Sequence, residues 1–208
     1  MNDMHVNSEK LLEIIKSRRT IRVFLNKPIE REIIEKLLEA ARWAPSAHNR
    51  QPWRFVVITN QKTKEELAYA MARKLKEDLE RNGLPEDFIK TKVESSIKRF
   101  VSAPVLILVC MTMEEMDKYP DEFRNNAERT MAIQSVALAI QNMLLMAHTL
   151  GLGVCWRCAP LFAPDIVKKV LGIPENWEPQ AILEVGYYEN APPPPPRKSI
   201  NEIVRWIE

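Results

Sequence analysis

Arg42-Trp43-Ala44-Pro45-Ser46-Ala47-His48-Asn49-Arg50-Gln51-Pro52-Trp53-Arg54-Phe55 lies between a helix pattern and a strand pattern, and neither core packing nor solubility accounts for its composition. Pro45 disfavours helical geometry at Ala44, and Pro52 does the same at Gln51, so a rigid, extended, non-repetitive loop is expected between them. Such a loop presents groups instead of burying them. Ser46, His48, Asn49 and Gln51 then form an array of neutral donors and acceptors beside two tryptophans, which suits a planar heteroaromatic ligand. The simpler reading is that these side chains only satisfy the loop's own backbone. Local composition leaves both open.

Upstream of the loop, Pro28 precedes residues Ile29 to Ala44, in which Ile33, Ile34, Leu37, Leu38 and Ala41 share one helical face. Downstream, Phe55, Val56, Val57 and Ile58 in Trp53 to Thr59 read as a buried strand. The chain starts with a polar tail and a short amphipathic helix, Ser8 to Ser17. Ser17-Arg18-Arg19-Thr20-Ile21-Arg22 follows. It is either a solvated basic run or a phosphate grip, since guanidinium forks match phosphate oxygens.

Residues Lys62 to Arg81 give a charged surface helix closed by Asn82-Gly83, and a second runs from about Pro85 to Phe100. Val105 to Met111 is an apolar strand. Met113 to Asn125 is acidic and Met-rich, the composition of a flexible excursion or lid. Ala127 to Leu150 is the most apolar helix, but Gln134, Ser135, Gln141, Asn142, His148 and Thr149 interrupt it. It is therefore expected to be a core helix buried on most sides, between a sheet and another subunit, and not a membrane span. After Gly151-Leu152-Gly153 come a short strand at Val154-Cys155-Trp156, a small helix from Ala163 to Leu171, and a strand of alternating character from Gln180 to Tyr188. Pro192 to Pro196 form a stiff spacer, and the apolar tail with Ile200, Ile203, Val204 and Ile207 is expected to pack on another chain.

With 208 residues, 46% of them hydrophobic, one domain spanning 1–208 is expected, its residues 192–208 forming an extension. Thirty basic and 28 acidic residues leave a net charge of only +2, which excludes a global field for nucleic acid or an anionic membrane. Three cysteines and no apolar leader point to the reducing cytoplasm. Cys155-Trp156-Arg157-Cys158 has redox or zinc spacing, but Ala159-Pro160 denies it a following helix, and His5, His48, His148 and Cys110 are too scattered to complete a zinc set. No metal site is expected. Gly151-x-Gly153 lacks the third glycine of a dinucleotide fingerprint, and no phosphate-binding P-loop is present. His148 reads as a satisfied core residue.

Arg18-Arg19-Thr20-x-Arg22, Ala44-Pro45-Ser46-Ala47-His48-Asn49-Arg50-Gln51-Pro52-Trp53, Gly151-Leu152-Gly153 after an apolar helix, and the basic pair Arg197-Lys198 together resemble the FMN-dependent nitroreductase family, in order and over nearly the whole chain. The resemblance implies an α+β fold with a central antiparallel sheet flanked by helices. It also implies a homodimer with exchanged C-terminal segments and FMN at the interface. Carried onto matching positions, Arg18 and Arg197 would hold the phosphate, with Lys198 alongside. Arg19 and Thr20 would contact phosphate, ribityl or ring edge, and Arg22 would lie near the pyrimidine end. Pro45, Ser46, Ala47, Asn49 and Gln51 would reach the cofactor from the partner. Trp156, Cys158 and Ala159 would run beside the ring, with a backbone N–H of Cys158 or Ala159 aimed at the nitrogen that accepts hydride.

The family's chemistry is a ping-pong transfer from NAD(P)H through FMN to a nitroaromatic, quinone or enone, and it needs no protein acid or nucleophile. The His48-Asn49 loop, Tyr119-Pro120-Asp121 and the Cys-Trp-Arg-Cys turn look more like the flavin domain of ligases that complete a deazaflavin coenzyme. Reduction of such a precursor is the alternative activity. A flavin carrier or sensor without turnover is the alternative of another class.

Overall fold

The computed structural model describes residues 7–208, so most of the polar N-terminal tail, with His5, lies outside the described residues. Helix α1 spans Ser8–Ser17, and Asn7 caps it by accepting the Glu9 and Lys10 N–H groups at 2.9 and 3.4 Å. Helix α2 spans Arg31–Arg42 and buries Ile34, Leu37 and Ala41. Strand β1 is Trp53–Ile58; α3 is Gln61–Arg81; α4 is Glu86–Ser102; β2 is Val105–Met111; α5 is Glu122–Thr149; β3 is Leu152–Arg157; α6 is Pro164–Leu171; β4 is Glu178–Tyr187; and α7 is Ile200–Ile203.

The four strands pair antiparallel in the order β1-β2-β4-β3. Alternate residues of the two central strands feed two cores. Ile107, Val109, Met111, Leu183 and Val185 pack against α2 and α5, whereas Leu106, Leu108, Cys110 and Ile182 pack against α3, α4 and α6. Helices cover both faces of the sheet, so β4 is buried nearly throughout and does not alternate as its sequence suggested.

Three local expectations are corrected. The loop between Pro45 and Pro52 is not extended: Ala47–Asn49 form a 3-10 turn, and His48, Asn49 and Gln51 all have φ near +50°. Such backbone costs about 1–3 kcal/mol per residue, and hydrogen bonds offset it: Ser46 Oγ accepts the Gln51 N–H at 3.0 Å, and Asn49 N–H bonds to Ser46 C=O at 3.0 Å. Residues 113–121 are not a loose lid, because Met116 is buried and Asp117 and Glu115 pair with Arg50 and Arg54. Asn125, assigned to the same excursion, lies in α5 and clasps the Tyr119 backbone through both its side-chain atoms. Helix α3 carries one buried face and a buried lysine, Lys64, whose Nζ donates to the Ala103 C=O at 2.7 Å just past the C-terminus of α4.

Helix α5 is apolar enough, by length and composition, to cross a membrane. Here its Ala132, Val136, Ala139, Ile140, Met143 and Ala147 face the sheet and α2. Within a single chain it is buried on one side only, since Ile133 and Leu138 are exposed. Leu11, Leu12 and Ile15 of α1 are exposed too. So is the tail, where Trp206 is 76% and Ile207 89% exposed.

Candidate functional site

Helix α1 ends by turning Arg18 out of the helix, and the chain then runs along the outer edge of β3. Thr20 forms a parallel bridge with Val154, and the Ile21 N–H bonds to the Val154 C=O at 3.1 Å. This approach needs Gly153: a Cβ there would lie 2.6 Å from the Ile21 side chain. Gly151, with φ +73°, makes the turn from α5 into β3. The two glycines therefore have separate jobs, one in the turn and one in the contact.

His148, on the last turn of α5, is tied to the end of α1 by a 2.7 Å hydrogen bond between its Nε2 and Ser17 Oγ. Arg18 and Arg19 are close enough to act on this imidazole. Burial first, then these two cations, hold the His148 pKa below its ordinary value. Arg18 itself is lowered, first by burial and then by repulsion from Arg19 and Arg197. Guanidinium groups from the two ends of the sequence thus share one field, and among the described residues no carboxylate pairs with Arg18, Arg19, Arg22 or Arg197. Arg19 Nη1 caps α1 by donating to the Lys16 C=O at 2.6 Å and the Arg18 C=O at 2.8 Å. Arg22 is exposed on the neighbouring edge, and its charge reaches Cys155. Arg197 and Lys198 are exposed on the segment after the prolines. The donor set fits a doubly charged phosphate, because excess like charge concentrated on half-buried guanidinium forks is relieved by an anion.

From this cluster β3 leads to Trp156, which is 39% exposed, and to Cys158 and Ala159 in a 3-10 turn. Cys158 lies four residues beyond Val154, about 13 Å at 3.3 Å per residue. In that turn the Leu161 N–H bonds to the Cys158 C=O at 3.1 Å, while the Cys158 and Ala159 N–H groups donate to none of the described residues. Beneath the turn Arg157 pairs with Glu184, which is fully buried in β4. Neither residue was a sequence candidate, although Glu184 stands out as the lone charge in Ala181-Ile182-Leu183-Glu184-Val185.

Pro45, Ser46, Ala47, Asn49 and Gln51 form a second group. The Ala47 N–H bonds to Ser135 Oγ on α5 at 3.2 Å. Ser135 and His148 are 13 residues apart on one helix, about 20 Å at 1.5 Å per residue. One chain therefore gathers Arg18, Arg19, Thr20 and Arg197 at one end of α5 and leaves the proline-bounded loop well up the helix. Trp43 beside the loop is exposed, whereas Trp53 is core.

All three cysteines are free. Burial pushes the Cys110 thiol up to about 12 and also raises Cys155, leaving Cys158 exposed.

The profile of the Nitroreductase family matches residues 15–187. An Archaeoglobus fulgidus protein, provisionally named NADH dehydrogenase/NAD(P)H nitroreductase, is 31% identical over 184 residues, 86% of each chain. A BluB-like flavoprotein from Clostridium difficile 630 superimposes with a TM-score of 0.78 at 30% identity, covering 95% of this chain and 99% of the other. Oxidized iodotyrosine deiodinase, solved with FMN and 3-iodo-L-tyrosine bound, does so at 0.74 and 28% identity with the same coverage.

Proposed function

The chain belongs to the nitroreductase family, and from that premise we propose that it is a homodimeric FMN-dependent oxidoreductase passing hydride from NAD(P)H to a small organic acceptor of nitroaromatic, quinone or enone type. The observation that carries this reading is that the charges of Arg19 and Arg197 both act on Arg18, with no carboxylate partner for them among the described residues, at the head of a strand leading to backbone donors that bond to none of the described residues.

In this reading Arg18, Arg197 and Lys198 hold the phosphate, and the Thr20 to Arg22 edge flanks the remainder of the cofactor. The Cys158 or Ala159 N–H would meet the reactive edge of the ring, and Trp156 would wall it. Bound FMN supplies the redox chemistry, since it can take a hydride from one substrate and give it to another. The positive field of Arg22 favours negative charge on a ligand at that edge.

The separation of the half-sites along α5 supports the dimeric reading. A second copy packed antiparallel on α5 would bring Pro45, Ser46, Ala47, Asn49 and Gln51 to the first copy's arginines. It would also cover the exposed faces of α1 and α5 and the apolar tail of residues 192–208.

Purified protein is expected to be yellow, to release FMN on denaturation, and to lose its visible flavin band on anaerobic addition of NADH or NADPH. A quinone should restore the band. Bleaching by a reduced deazaflavin but by neither pyridine nucleotide selects the deazaflavin-linked reductase instead, and bleaching without reoxidation selects a carrier. A colourless monomer that takes up no added FMN overturns the whole reading.

A further inference from the structure

Away from the arginine cluster, three side chains from three separate segments converge: His48 from the loop, Asp117 from the segment before α5, and Glu128 from the second turn of α5. One potential ligand atom from each lies within 4.8 Å of the other two. Their chemistry is unbalanced as it stands. Glu128 is only 2% exposed, and its buried Oε2 has no hydrogen-bond partner among the described residues. Asp117 gives one oxygen to Arg50 Nη2 at 2.5 Å, whereas no hydrogen bond joins His48, Asp117 and Glu128 to one another. Buried carboxylates are normally hydrogen-bonded, paired or bound to a metal.

Ligand atoms around one cation, with bonds of about 2.0–2.2 Å, lie roughly 3–4.4 Å apart, so three groups held within 4.8 Å of one another need only a small side-chain adjustment to close on an ion. The left-handed backbone at His48, φ +50°, carries its imidazole to this point between two acidic segments. An imidazole and two carboxylates suit a borderline divalent cation of the zinc, iron(II) or manganese class, with water completing the sphere.

We propose that His48, Asp117 and Glu128 form a divalent-cation site that clips the loop of residues 45–52 and the segment of residues 113–121 onto α5. The cation supplies the counter-charge that Glu128 lacks. Its affinity is limited by Arg50, which competes for Asp117. The proposal does not depend on flavin binding, because it concerns the clip and not the ring.

Chelator-stripped protein, with or without flavin, is titrated calorimetrically with Zn2+ at neutral pH. One saturable ion per chain is expected. Loss of a group that merely orients a metal ligand typically costs about 10–100-fold in affinity. Glu128→Gln and His48→Ala should therefore each weaken binding at least ~10-fold and abolish the rise in unfolding temperature that Zn2+ gives the unaltered protein. If Glu128→Gln does not fold, His48→Ala, at an exposed position, decides alone. No saturable Zn2+ binding overturns the proposal. So does binding undiminished in His48→Ala, which would place the ion at another surface group such as Cys158.

Discussion

Replacing Gly153 by alanine tests the contact that sets the arginine segment against the sheet. Gly153 does not have a positive φ, so alanine meets no backbone penalty, and the effect is steric. The new Cβ would sit 2.6 Å from Ile21 Cβ and Cγ1 and 2.8 Å from Cγ2. Ordinary contact begins near 3.4 Å, so the Thr20 to Arg22 edge must retreat by about 0.8 Å. Relief by side-chain rotation is closed off, because Ile21 Cβ is itself one of the clashing atoms and moves only with its backbone. Overpacking of this kind costs about 1–3 kcal/mol, or roughly 2–12 °C in Tm for a chain of this size. The same retreat strains the Ile21 N–H bond to Val154 and displaces Arg18 relative to β3. Losing one charge-assisted hydrogen bond, about 1.5–3 kcal/mol, lowers FMN affinity about 10- to 150-fold. The assays are thermal unfolding of the flavin-free protein and fluorescence titration with FMN. Gly151→Ala is the control, since its Cβ meets nothing within 4 Å and only its φ of +73° is strained. Unchanged Tm and FMN affinity in Gly153→Ala would refute the idea that a backbone contact positions the cationic cluster.

Other outcomes follow from single residues. The folded-state pKa of His148 is depressed, so the unfolded chain binds more protons near and below the ordinary histidine value. Stability should be complete above about pH 6.5 and fall as pH drops through that value towards the folded pKa; His148→Gln should flatten this slope, and saturating FMN should reduce it by neutralising Arg18 and Arg19. Lys64→Met strands the Ala103 carbonyl and should cost about 1–3 kcal/mol in denaturant unfolding, whereas Lys62→Met, on the exposed face, should change little. A thiol reagent should modify one cysteine, Cys158, in the native protein and all three after denaturation; fast native labelling of Cys110 would mean that the sheet core opens readily.

Much of the local structure was legible in the sequence. Ser8 to Ser17 is helical over the expected residues, and Gly172 ends α6 in the left-handed conformation. Period, caps and proline or glycine punctuation act within a few residues, so they can be read from the sequence. The two arginine-bearing ends and the proline-bounded loop were legible for the same reason, as clusters of one chemistry in a short window. The loop's shape was not. Pro52 excludes helix at Gln51, but positive φ there is set by Ser46 Oγ, five residues away, and by anchorage to Ser135 across the fold.

Lys64, Glu128 and Glu184 belong to this second kind. The neighbours of Lys64 and Glu128 along the chain do not mark them as buried, and the apolar run around Glu184 does not name its partner Arg157, because burial and pairing depend on which strand lies beside which helix. The order β1-β2-β4-β3 is likewise a result of packing two apolar faces at once. By itself the sequence determined most of the helices and strands, though not α7 or the first turn of α5, and it determined the family motifs and the cationic ends, since short-range sterics and side-chain chemistry decide those. Only the tertiary structure decided that the loop of residues 45–52 lies about 20 Å up α5 from His148 and the arginines beside it, because that separation runs along a helix packed against the sheet.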